Sequence, residues 1–231
     1  MPRPVPHDPP AVAAFDLDGT LTEGGSVVAW LREVGGDPTV WRALVRHAVP
    51  LAVAAVRSGR AADDAKESLF ADVLAGRALD DVEAVSASFA ESHLRRHVRP
   101  EVVTRLAAHL DRGHVVVVVS ASPSLYVARI ADALGAHGAA ATDLATAEGR
   151  LTGRYEGANC RGDEKLRKVR TLLTGLGVPS TDTTRPLYAY GNSRGDLRLL
   201  AAADRPVDVS RLGRLGRLGR FPRLAATGLE P

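Results

Sequence analysis

Four short segments of this 231-residue chain carry side chains suited to handling an anion or a hard cation. The first is Asp16-Leu17-Asp18-Gly19-Thr20. Residues two apart in an extended chain point the same way, so a turn at Gly19 would leave both carboxylates facing one crevice. The bland reading of the same residues is an Asp-Gly turn. The second is Ser120, placed after five consecutive valines and before a helix expected from Pro123. Its hydroxyl and the N–H groups of a helix start make an anion site, although a serine there is ordinarily only a cap. The third is Lys165, near the start of another helical stretch, which alone would read as a surface lysine. The fourth is Gly191-Asn192-Ser193-Arg194-Gly195-Asp196, where glycine and asparagine suit a tight turn. Asn192 and Asp196 offer oxygen atoms to a hard cation.

Each segment falls where an expected strand ends. Residues 11–17 form an apolar run that stops at acidic residues and Gly19. The valines at 115–119 have the composition of a strand buried on both faces. Residues 187–190 and 206–209 are further short strands, and 140–157 read as a strand and a hairpin turning at Glu148-Gly149. Helices are expected at 100–112, from Pro123 to about 134, at 163–175 and at about 195–203. Pro100 suits a first helical turn, where its missing N–H costs nothing. Strands alternating with helices imply an α/β fold with a parallel sheet and right-handed crossovers. Ligands of such sheets bind at the carboxyl ends of the strands. Residues 26–96 instead carry apolar positions at helical spacing. They are broken at 35–38, 58–59 and Gly76, and read as an insert of about four helices.

In order and spacing, FDLDGTLT at 15–22, VVVVVSAS at 115–122, GDEK at 162–165 and GNSRGD at 191–196 resemble the haloacid-dehalogenase superfamily of phosphohydrolases. The resemblance covers nearly the whole chain. It points to the phosphoserine-phosphatase-like branch, subfamily IB. Within it, SASPSLYV, LATAEGRLTG, NCRGDEKLRKV and YGNSRGD are similar to the subgroup of phosphatidylglycerophosphatase C and several small-metabolite phosphatases. It implies a Rossmann-like parallel sheet core with helices on both faces at 1–24 and 97–210. A C1-type helical cap at 25–96 would be inserted after the first strand, and 211–231 would form a basic Arg-Leu-Gly tail.

By that resemblance Asp16 is the nucleophile, and Asp18 protonates the leaving oxygen and later activates water. Ser120 and the Ala121 N–H bind phosphoryl oxygens, and Lys165 neutralises charge between nucleophile and phosphate. Mg2+ is held by Asp16, the Asp18 main-chain carbonyl, Asn192 and Asp196. Asn192 stands where many relatives carry Asp, so it would ligate without a formal charge. The implied activity is Mg2+-dependent hydrolysis of a small phosphorylated metabolite through an aspartyl-phosphate. The alternatives are a lipid-phosphate phosphatase at a membrane surface, a phosphotransferase, and a non-catalytic phosphate-binding module.

Composition narrows the partners. The chain is 45% hydrophobic and 25% charged, as expected of a globular protein. One cysteine, Cys160, excludes an internal disulfide and a cysteine-rich zinc site. No stretch approaches the ~20 apolar residues of a membrane span. The proline-rich N-terminus shows no secretory signal core, so the cytoplasm is the default compartment. Six arginines and one aspartate between Arg205 and Arg223 give +5, which leaves −2 for the rest of a chain whose total is +3. The basic character is thus a property of one segment. It suits weak contact with anionic membranes, and no nucleic-acid partner is expected. Arg57 and Arg60, at a break in the helical insert, are candidates to read a second anionic group of the substrate. Glu23 is a candidate to face the pocket at the cap hinge. The expectation for Trp30 and Trp41 is the core, for the His93/His97 pair solvent, and for Cys160 an inert role.

Overall fold

The strand that follows the N-terminal segment, β1 (Val12–Asp16), is buried along its whole length and lies at the centre of the sheet. The computed structural model describes residues 4–6, 11–50, 52, 60–178, 185–210 and 221–224. β1 is flanked by β2 (Val115–Pro123) and β6 (Leu187–Gly191), with β3 (Gly138–Thr142) and β7 (Arg205–Asp208) at the edges. All four pairings are parallel. The unbroken valine run follows from this position. On one face Val116 and Val118 pack with Ala13, Phe15 and Tyr190 beneath α5 (Pro100–Asp111) and α6 (Ser124–Ala133). On the other, Val115, Val117 and Val119 pack with Ala14 and Ala189 beneath α7 (Asp163–Gly175) and α8 (Leu197–Ala202). A strand covered on both faces has no side to leave polar.

The insert after β1 supplies α1 (Val27–Gly35), α2 (Asp37–Arg46), α3 (Arg60–Leu74) and α4 (Leu79–His97). Its apolar centre is aromatic: Trp30 packs against Phe70 and Tyr126, and Phe89 against Tyr126. Two linkers join it to the sheet, and they pair with each other. Thr22 bridges Val98, the Glu23 N–H donates to the His97 carbonyl (2.7 Å), and the Arg99 N–H donates to the Leu21 carbonyl (2.9 Å).

A second attachment was not legible in the sequence. The hairpin of β4 (Leu144–Ala147) and β5 (Arg150–Tyr155) belongs to the sheet domain by chain order, yet it docks on α3. Main-chain bonds continue from it into the α3–α4 turn: Gly76 N–H to Leu151 O (2.8 Å), Leu151 N–H to Arg77 O (2.9 Å) and Leu79 N–H to Gly149 O (2.9 Å). Gly153 makes the docking geometrically feasible. Its φ is +75°, and a Cβ there would lie 2.4 Å from the Ala71 Cα.

Several expectations need correction. Trp30 is buried, but Trp41 is 70% exposed on α2, in line with the exposed Val45 and Val49. His93 is buried, its ring 5.1 Å from Phe89 and 4.7 Å from His97, so the pair is only half in solvent. Residues 211–220 and 225–231 of the basic tail lie outside the described residues, while 221–224 return to β7. The Asp208 N–H donates to Pro222 O (2.8 Å), the Leu224 N–H donates to Asp208 O (3.2 Å), and Phe221 and Leu224 pack on the two halves of the core. Among the described residues no helix is long and apolar enough to cross a membrane.

Two outcomes follow. Gly153→Ala must push a methyl group into the α3 backbone at a left-handed φ, and is expected to cost about 2–4 kcal/mol in urea unfolding. A loss below about 0.5 kcal/mol, the size of an ordinary surface change, would show that the hairpin does not need this contact. Ending the chain at Ser210 removes two main-chain hydrogen bonds from β7 and two apolar side chains from the core. It is expected to lower stability by about 1–3 kcal/mol, and an unchanged melting temperature would contradict the pairing.

Candidate active site

Strand register brings the four segments together. Asp16 at the end of β1 is level with Val119, so Ser120 comes next on the neighbouring strand. On the other side Phe15 is level with Tyr190, so Gly191 opens the last loop beside Asp16. Lys165, in the first turn of α7, reaches between them. Its Nζ donates to Asp16 Oδ1 (2.6 Å) and to Asp196 Oδ1. All three side chains are buried. Burial, and then the charge of Asp196, pushes the Asp16 carboxyl up to about 7, against the pull of Lys165. Burial alone would lower the Lys165 ammonium, but the two carboxylates hold it above its ordinary value.

Asp196 also builds the loop it belongs to. Its Oδ2 accepts from the Asn192 N–H (3.1 Å), the Ser193 N–H (2.9 Å) and the Ser193 hydroxyl (2.8 Å), closing a capping box around the short turn at 194–196. Both carboxylate oxygens are thereby engaged. Asp16 is fixed similarly, with its Oδ2 accepting from the Thr20 hydroxyl (2.9 Å).

Asp18 faces the same crevice, as expected if the chain turns at Gly19, whose φ is +81°. Its Oδ1 accepts from the Ser26 N–H (2.6 Å) and its Oδ2 from the Ser122 hydroxyl (2.5 Å), with the Ser120 hydroxyl at 3.4 Å. Ser26 immediately precedes α1, so the carboxylate is held by both the sheet and the root of the insert. The Ser26 hydroxyl lies 2.7 Å from the Tyr126 hydroxyl. Ser120 Oγ accepts from the Ser122 N–H (3.0 Å), and its own proton points to Asp18 Oδ2 across a long contact (3.4 Å).

Of the remaining sequence candidates, Glu23 is exposed at the linker. Arg60 is exposed at the first position of α3, and Arg57 lies outside the described residues. The insert contributes Lys66 instead, which the sequence reading passed over. Its Nζ donates to the Ala121 carbonyl (2.6 Å), and burial pulls its ammonium down to about 8. The signal was present: Lys66 precedes Phe70 by four residues and Val73 by seven, so a lysine interrupts the buried stripe of α3. Asp63, one turn earlier, accepts from Asn159 Nδ2 (2.5 Å), and Asn159 Oδ1 accepts from the Thr142 hydroxyl (2.8 Å). Cys160 is buried and its thiol is pushed up to about 11 by that burial, as suits an inert group.

Among the described residues no three His, Cys, Asp or Glu side chains are grouped to hold a metal. The candidate donors are of mixed kind: the Asp16 carboxylate, the Asp18 main-chain oxygen and the Asn192 amide. Asn192 Nδ2 donates to Asp18 O (3.1 Å), while its Oδ1 is buried with no hydrogen-bond partner. The amide lies so close over Gly19 that a Cβ there would be 1.8 Å from Nδ2, and Gly19 adopts φ +81°. An orphaned amide oxygen beside a carboxylate and a peptide carbonyl is an all-oxygen set that fits a hard cation. Asn192→Asp exchanges the donor facing Asp18 O for a second oxygen and adds a charge. The variant is expected to melt lower than wild type without Mg2+ and to gain more from it. The Mg2+ concentration giving half the thermal shift should fall several-fold, about 1 kcal/mol after desolvation. A half-saturation equal to or above that of wild type would place Asn192 away from the cation.

The haloacid dehalogenase-like hydrolase family matches this chain over residues 13–201. Protein CicA of Caulobacter vibrioides is 34% identical over 196 residues, spanning 84% of each chain. A Bordetella pertussis Tohama I protein of unknown function has a crystal structure that superposes with a TM-score of 0.76 at 28% identity, over 96% of this chain and 98% of that one. A phosphoserine phosphatase solved as a phospho-aspartyl intermediate analogue superposes at 0.58 with 21% identity, over 87% of both chains. With its parallel sheet, its helical insertion after the first strand and this match over most of its length, the chain belongs to the haloacid dehalogenase-like hydrolases and is an enzyme of that family, sharing the fold of its phosphoserine-phosphatase-like branch.

Proposed function

We propose that the protein is a phosphomonoesterase that hydrolyses a small phosphorylated metabolite through an aspartyl-phosphate on Asp16, with Mg2+ as its cation. The convergence of Asp16, Asp18, Ser120 and Lys165 at adjoining strand ends carries this reading, with Lys165 Nζ 2.6 Å from the Asp16 carboxylate. Mg2+ held by Asp16, the Asp18 main-chain oxygen and Asn192 would supply positive charge that offsets the repulsion between an anionic nucleophile and an anionic ester. Asp196, whose Oδ2 already accepts three hydrogen bonds and whose Oδ1 accepts from Lys165, supports Lys165 and the loop in this reading and is not a ligand.

In the first step an Asp16 oxygen attacks phosphorus and the bond to the leaving oxygen breaks. Asp18 gives its proton to that oxygen. Lys165 and Thr20 fix the plane of the Asp16 carboxylate, so little reorganisation precedes attack. The Ser120 hydroxyl and the Ala121 N–H donate to the phosphoryl oxygens as charge spreads over them. In the second step Asp18, now a carboxylate, takes a proton from water. The water oxygen bonds to phosphorus, and the bond to Asp16 breaks. The insert acts as a cap whose root, through Ser26, aims Asp18.

The two carboxylates should fail differently. Asp16→Asn is expected to lower turnover of p-nitrophenyl phosphate by about a thousandfold or more, since an amide is a poor nucleophile. Activity within tenfold of wild type would overturn the assignment. Asp18→Asn should still be phosphorylated by this ester, whose leaving group needs little proton donation, but should hydrolyse the product slowly. The intact mass of that variant should show one added phosphoryl group after mixing with substrate. An unmodified mass alongside lost turnover would contradict the division of roles.

A further inference from the structure

Resting on the proposed phosphomonoesterase activity, we infer that Lys66 selects the substrate by charge, favouring leaving groups that carry an anion over those that carry an ammonium group. Ala121 follows Ser120, so its carbonyl stands on the rim of the phosphate cradle. That oxygen accepts from Lys66 Nζ (2.6 Å), and the Thr142 hydroxyl, whose single proton also faces Asn159 Oδ1 (2.8 Å), lies 2.7 Å from it. With the Lys66 ammonium already seated on it, that carbonyl is poorly placed to receive an N–H of a substrate. What the rim presents instead is the ammonium itself.

That ammonium is short of partners. It has three donors, and the Ala121 carbonyl takes one. The Phe70 ring lies 5.4 Å away on one side. Among the described residues no carboxylate lies within ion-pair distance of Nζ, because the nearby acids are engaged elsewhere. Asp63 holds Asn159 (2.5 Å) and faces Arg161 (3.9 Å). Glu67 accepts from the Tyr155 N–H (2.8 Å) and faces Arg154. Asp18 is held by Ser26 and Ser122. Burial lowers the ammonium to about 8, and the charges of Asp18 and Asp63 only partly oppose this. A half-buried cation without a counter-ion is under-compensated, and an incoming anion relieves this, whereas an incoming cation adds to it. Lys66 belongs to the insert and Ala121 to the sheet, so the charge sits where the leaving group must lie, between the two.

The test compares three small esters with Mg2+ present: phosphoglycolate, ethyl phosphate and phosphoethanolamine, whose two-carbon leaving groups are anionic, neutral and cationic. For the wild-type chain kcat/KM is expected to favour phosphoglycolate over phosphoethanolamine by about tenfold or more, the scale of one formal charge a few ångströms away. Lys66→Met is expected to shrink that ratio to within about threefold, whatever loss the esters share. Lys66→Gln keeps a donor for the Ala121 carbonyl without the charge and should do the same, whereas Lys66→Arg should keep the preference. A ratio unchanged in both neutral variants, or a wild-type preference for phosphoethanolamine, would overturn the inference while leaving the phosphatase reading intact. A wild-type protein that turns over none of the three, nor p-nitrophenyl phosphate, would overturn both.

Discussion

The buried ammonium of Lys165, shared between Asp16 and Asp196, is the interaction on which the rest of the crevice depends. Three elements far apart in sequence end at it: the central strand, the first turn of α7 and the loop after β6. Burying a lone carboxylate costs several kcal/mol, and removing one partner of a buried set leaves that cost uncompensated. Each of the three charges is therefore tolerable only because the other two are there. The geometry around them is correspondingly tight. Gly191 has no room for a Cβ, which would lie 2.6 Å from that of Asp196, and Asp196 in turn organises the amides that set Asn192 over Gly19.

The second carboxylate obeys a different constraint. Asp18 is held from two sides, by the Ser122 hydroxyl on the sheet and by the Ser26 N–H at the root of the insert. Its orientation thus reports the position of the insert, as does the contact of Lys66 with the Ala121 carbonyl. Asp16, by contrast, sits wholly within the sheet domain. The contacts of Asp18 and of the Ala121 carbonyl are shared across the boundary.

What was legible in the sequence was local. Five valines can only be a strand covered on both faces, and the alternation through Asp16 and Asp18 fixed the direction of both carboxylates. Gly149 and Glu148 marked the hairpin turn. The docking of that hairpin onto α3 was hidden, because it rests on the absence of a side chain at Gly153, which reads like any turn glycine. Lys66 was passed over because a lysine in a helix is usually solvated, and only its spacing from Phe70 marks it as inward. Trp41 and His93 went the other way: residue type suggested the core for one and solvent for the other, and tertiary packing reversed both. The return of 221–224 to β7 depends on a pairing with no local signature.

The docked hairpin changes what counts as a transferable piece of this architecture. Chain order suggests that residues between the two linkers could be exchanged among relatives as one cassette, carrying substrate preference with them. The main-chain bonds from 149–151 to 76–79, and the passage of Gly153 across Ala71, tie that cassette to a segment some seventy residues downstream. A chimera that took only the helices would set a foreign helix against a hairpin shaped for another. The transferable structural unit is discontinuous, and β4–β5 must travel with the helices they hold.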